Sequence, residues 1–121
     1  MKIKTSELKG PALDWAVAKC EGIELVGGYY NRLLVDGRMS RGQEMLVIFK
    51  PSTDWAQAGP IIEREGISLV FKDGDCYANA PSSLTPSFSH YPLVAAMRCY
   101  VASKLGDVVE VPDDLMEGKA K

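Results

Sequence analysis

The segment from Pro92 to Gly106 constrains the fold more than any other part of the sequence. Leu93, Met97, Tyr100, Val101 and Leu105 recur at i, i+4, i+7, i+8 and i+12, a spacing that lines them up on one stripe of an α-helix. Gly106 stands where such a helix stops. A second stripe, Leu13, Ala16, Val17 and Cys20, predicts another helix from about Gly10 to Cys20. Pro11 is tolerated there because a first helical turn has no use for its missing N–H. Gly22 supplies the left-handed stop, Thr5 or Ser6 a hydroxyl cap, and Trp15 lies on the flank of the stripe. Two helices, each with one apolar stripe, need a common layer to cover them.

That layer is predicted to be a small antiparallel sheet. Ile67 to Phe71 and Cys76 to Ala78 flank Asp73-Gly74, a pair that accepts positive φ and so closes a tight hairpin. Between residues 23 and 50, the breakers Gly27-Gly28, Asp36-Gly37 and Arg41-Gly42 leave room for short strands around Tyr29 to Val35 and Met45 to Phe49, read as a hairpin with a loose tip. Met1 to Lys4 can add a short strand. Pro60 is placed to open a short helix over residues 61–65, ended by Gly66, and residues 80–89 read as a Pro- and Ser-rich loop. Asp107 to Glu117 holds five acidic residues and no basic one, with Pro112 starting a last turn through Met116. The expected fold class is α+β: two main helices, near residues 10–21 and 92–105, packed on one face of a small antiparallel sheet containing 67–71 and 76–79. A chain of 121 residues buries roughly two-thirds of its unfolded surface. One domain over residues 1–117 is therefore expected, with a frayed tail at 118–121.

Composition narrows the functional classes. No apolar run is longer than Met45 to Phe49 or Leu93 to Met97, whereas a spanning helix needs about 20 apolar residues, so a membrane protein is not expected. Residues 1–7 carry lysines with no apolar stretch behind them, so export is not expected either. Cys20, Cys76 and Cys99 form an odd set without CxxC spacing, which points to reduced thiols and a cytoplasmic setting. The formal charge is −2 and the basic residues are scattered, unlike a phosphate-backbone binder.

Little in the sequence is arranged for catalysis. His90 is the single histidine, placed just before a helix, and no spacing completes a metal site around it. Cys99 lies inside one predicted apolar helix and Cys20 at the end of the other, and both read as structural thiols. Glu63 and Glu65 are two apart on a helix and point away from each other, toward solvent. No catalytic residue, cofactor or metal is therefore assigned. Pro51 to Gln57 is different: Ser52, Thr53, Asp54, Trp55 and Gln57 gather two hydroxyls, a carboxylate, an indole and an amide between a strand and a helix. Such a loop can grip a ligand by stacking and directed hydrogen bonds. It can equally be a tight turn, with Ser52 or Thr53 and Asp54 bonding backbone and Trp55 plugging the core edge. Arg98 is the one charge in the middle of residues 93–102. It either snorkels to solvent or pairs with Asp54, Glu63 or another acid, and it joins the loop residues in the candidate ligand-binding set. Asp14-Trp15-Ala16-Val17-Ala18 and Asp54-Trp55-Ala56-Gln57-Ala58 match at four of five positions. Their flanks differ, so the echo is read as coincidence and not as a repeat.

Three stretches together carry a resemblance: Glu7-Leu8 through Ala12-Leu13-Asp14-Trp15-Ala16-Val17-Ala18; Pro51-Ser52-Thr53-Asp54-Trp55-Ala56-Gln57 with Gly59-Pro60-Ile61-Ile62-Glu63-Arg64-Glu65; and Pro92-Leu93 through Met97-Arg98-Cys99-Tyr100 to Leu105-Gly106. The chain resembles the NinX-like proteins of tailed temperate phages and prophages. It departs from their pattern at Ala58, where glycine is expected, and at Tyr77, where tryptophan is expected. The family is a domain of unknown function, so the resemblance implies a setting and no catalytic residue. It implies a small accessory protein in the cytoplasm of an infected bacterium, a class that includes inhibitors of host defence. Three functions are carried forward. The first is a non-catalytic binding protein, with a homo-oligomer left open, that engages a nucleotide-like small molecule or a host protein through the Pro51–Gln57 loop. The second is a small enzyme acting on a nucleotide-like substrate. The third is a regulator of phage nucleic-acid transactions, disfavoured by the acidic composition.

Overall fold

A computed structural model describes residues 1–23, 25–29, 32–38, 44–82 and 86–115. Within these, β1 (Lys2–Lys4) leads through a 3-10 turn (Thr5–Glu7) into α1 (Gly10–Glu21). Strands β2 (Leu25–Tyr29), β3 (Arg32–Arg38) and β4 (Glu44–Ile48) follow, then α2 (Trp55–Glu65), β5 (Ser68–Lys72), β6 (Asp75–Asn79) and β7 (Ser87–Ser89). The chain continues through α3 (Pro92–Leu105), β8 (Val108–Glu110) and a 3-10 turn (Asp113–Leu115). Among the described residues all strand pairing is antiparallel, in three sheets ordered β1-β8, β2-β3-β4 and β5-β6-β7. The fold is α+β, as the sequence predicts.

The best-marked elements stand where their local signals put them. Asp73 and Gly74 have φ of 53° and 84°, the positive values that a two-residue hairpin turn demands, and register runs from Ser68↔Asn79 to Lys72↔Asp75. Gly22 ends α1 at φ 70°, donating back to Ala18 and Lys19 carbonyls.

The role of α3 is larger than one stripe implies. Leu93, Met97, Tyr100 and Val101 are buried, with Ala96 beside them, but so are Ala95 and Cys99 on another face, while Leu105 is 42% exposed. The helix is central: it packs against β6 and β7 on one side and against α1 and α2 on another. α1 thus reaches the β5-β6-β7 sheet through α3, and it also contacts β3. Leu13, Ala16 and Val17 have no exposed surface and Cys20 is partly buried.

Four local readings change. Thr5 does not cap α1; the N-cap is Lys9, and the Thr5 hydroxyl donates to the Gly106 carbonyl at 2.6 Å. Tyr29 to Val35 is not one strand: Tyr29 ends β2 and Arg32 to Val35 belong to β3, with Gly27 and Gly28 paired inside β2. The short helix begins at Trp55 and not at Pro60, which sits inside α2. An Asp54 cap compensates there for the one N–H that Pro60 lacks. Within the expected 80–89 loop, Ser87–Ser89 forms β7, and Val108–Glu110 forms β8 against β1. The loose hairpin tip, the end of the last turn at Met116 and the tail at 118–121 lie outside the described residues.

Candidate functional site

The Pro51–Gln57 segment is a tight turn running into the first turn of α2, and most of its polar groups hold it in place. Thr53 and Asp54 N–H groups both donate to the Lys50 carbonyl at 3.0 Å. The Asp54 carboxylate accepts from Ala56 N at 2.9 Å, capping the helix. The Gln57 amide clasps the end of β4: Oε1 accepts from Lys50 N at 2.8 Å and Nε2 donates to Ile48 O at 2.9 Å. Ser52 is 4% exposed, and its N–H donates to Asp14 Oδ1 at 2.8 Å. The Ser52 hydroxyl also faces that carboxylate without reaching hydrogen-bond geometry. Burial pushes the Asp14 carboxyl up to about 6, with the Ser52 groups opposing the shift.

Trp55 is the exception. It does not plug the core: at the first position of α2, 55% of its surface is exposed. The turn therefore fixes a half-exposed indole on a backbone locked from both sides. Ser52, Thr53, Asp54, Trp55 and Gln57 stay together.

Arg98 sits elsewhere. It is partly exposed and, among the described residues, does not pair with Asp54 or Glu63. Its Nε donates to Leu8 O at 2.7 Å and its Nη1 to Phe88 O at 2.9 Å, clamping the end of the first 3-10 turn to β7. Burial lowers its pKa, opposed only by the charge of Glu7.

A polar cluster that sequence reading misses joins the C-terminal ends of the three helices. Arg64 grips Glu21 through two bonds, Nη1–Oε1 at 3.2 Å and Nη2–Oε2 at 2.5 Å, and reaches Glu65 Oε2 at 2.9 Å. The Tyr100 hydroxyl donates to Glu21 and accepts from Arg64 Nη2 at 3.1 Å. Lys104 lies 3.4 Å from Glu65. Glu65 is thus paired where the sequence put it toward solvent. Acids at helix C-termini oppose the dipole, so these cations offset that cost. Arg64 holds both the Glu21 and Glu65 carboxyls below the usual range, while burial and then Glu21 raise the Tyr100 phenol. Beside them, burial pushes the Cys20 thiol up to about 11, the value of an unreactive thiol. The signal was only the glutamates' place before Gly22 and Gly66, which leaves the partner unspecified.

His90 meets a carboxylate through the hairpin register, with Nδ1 2.5 Å from Asp75 Oδ1 and its side chain 76% exposed. Among the described residues no group of three or more His, Cys, Asp or Glu is placed to hold a metal ion. No helix among them is long and apolar enough to cross a membrane.

The fold and these sites define a small α+β domain that presents, among its exposed aromatic side chains, one on a hydrogen-bonded turn, Trp55. The family model for NinX of bacteriophage P22 matches residues 4–104, and the chain belongs to that family of phage proteins. No curated protein matches it. The two departures are accommodated differently: Ala58 is fully buried in the core, and Tyr77 is 37% exposed on the outer face of its sheet with its ring 5.6 Å from that of Phe88.

Proposed function

We propose that this phage protein is a non-catalytic accessory protein that acts in the cytoplasm of the infected bacterium by binding a host protein, with Trp55 as the anchor of the contact. The observation that carries the reading is the contrast within one turn. Asp54, Gln57 and the Thr53 N–H are committed to backbone bonds, while the indole they flank is 55% exposed. Exposed tryptophan is the residue type most enriched among interface hot spots. Holding it in place beforehand removes part of the ordering cost of association.

A photo-crosslinking amino acid at the exposed position of Ala56, introduced with Trp55 intact and used in infected cells, tests this. The expected result is one discrete host-protein adduct that disappears with Trp55→Ala. The same adducts from the crosslinker at exposed Val108, or no adduct from position 56, would contradict it.

A further inference from the structure

We propose that the cleft between β1, α3, β7 and β8 binds a phosphate-bearing small molecule, with Arg98 and Lys4 as the groups that contact its anion. The cleft has a volume of about 830 Å³, within the roughly 300–1,000 Å³ of small-molecule sites. Arg98 lies in its wall and carries five N–H donors, two of them spent on the Leu8 and Phe88 carbonyls. The remaining three have no partner among the described residues, and no carboxylate there forms an ion pair with the guanidinium. Those two bonds also fix the guanidinium plane, and a fixed fork of donors suits the oxygens of a phosphate.

The rest of the lining matches such a ligand. Lys4 reaches the cleft with no ion pair among the described residues, and the Ser6, Ser82 and Ser87 hydroxyls there make no hydrogen bond among them. Asp107 is the one carboxylate in the lining, against two cations. Phe88 and Val108, 46% and 51% exposed, give the wall an apolar part that can hold an uncharged remainder. The charge favours an anion, the volume exceeds that of a bare phosphate, and the hydroxyls can donate to the oxygens that a guanidinium leaves free. This site is independent of Trp55 and of the protein contact proposed above.

Isothermal titration of the full chain with adenosine 5′-monophosphate, inorganic pyrophosphate and adenosine tests the assignment. Saturable binding of either phosphate compound, without binding of adenosine, is expected. Lys4→Glu should weaken it by about tenfold or more, the loss of one charge-assisted contact, with the melting temperature of the ligand-free protein unchanged. Arg98→Lys, which retains charge but loses the fork, should also weaken it, whereas Trp55→Ala should bind normally. The proposal is overturned if neither phosphate compound saturates the protein at millimolar concentration, if adenosine binds equally well, or if Lys4→Glu binds as the unaltered chain does.

Discussion

Asp14-Trp15-Ala16 and Asp54-Trp55-Ala56 are the same tripeptide in two settings, and they do opposite things. In the middle of α1, Asp14 is 6% exposed and Trp15 packs partly buried against the core, with Lys19 Nζ 5.2 Å from its ring centre. At the start of α2, Asp54 caps the helix and Trp55 stands out from it. The difference is position relative to the first turn. An N-cap carboxylate is used up by orphan N–H groups, whereas mid-helix those groups are already bonded and a buried carboxylate must find a distant partner. Asp14 finds the N–H of Ser52, in the turn that precedes the second copy. One copy thus braces the turn that presents the other.

The largest effect expected from this arrangement is a pH dependence. The Asp14 carboxyl is raised in the folded chain to about 6 from 3.8, so the folded state binds the proton more tightly than the unfolded state. Its contribution to stability is fully present below pH 4 and is lost as pH rises through 6. Over that window stability should fall by up to about 3 kcal/mol. Glu21 and Glu65, whose carboxyls are lowered, act in the opposite sense, but below their unfolded value of 4.5. Asp14→Asn, which can still accept from Ser52 N–H, should flatten the curve between pH 4.5 and 7 and be at least as stable as the unaltered chain at pH 7. Urea unfolding at a series of pH values checks this; an equally steep curve in the variant would remove Asp14 as the cause.

Trp15→Ala should cost about 2 kcal/mol, below the 3–5 typical of a fully buried aromatic because the ring is only partly buried. Asp54→Ala should cost about 1 kcal/mol, the usual worth of an N-cap. Chemical denaturation measures both. If Asp54→Ala cost more than Trp15→Ala, the two copies would have exchanged the roles assigned to them.

The same pair shows what was legible from sequence. Signals confined to a few neighbouring residues read correctly: the Asp73-Gly74 turn, the glycine that stops α1, and the helix from Pro92. The start of α2 did not, because Gly59-Pro60 looks like a boundary when taken alone. Five residues earlier the Asp54 cap already commits the backbone, and Pro60 removes only one bond. Pairings between distant parts of the chain were out of reach. β1 meets β8, the Met1 ammonium meets Glu110 at 2.7 Å, and Arg98 spans to Leu8, none of which leaves a trace in local pattern. The candidate loop was legible as a group of residues that stay together. That its polar members are consumed by the turn, leaving Trp55 outward, depends on Lys50, Ile48 and Asp14, which no motif connects to it.

Trp55→Ala tests the central claim most directly, read by unfolding and by crosslinking from position 56 in infected cells on the same variant. The account predicts a loss of stability within about 0.5 kcal/mol, as for a surface substitution, together with loss of the host-protein adduct. A variant that unfolds, or one that folds and still forms the same adduct, would contradict it.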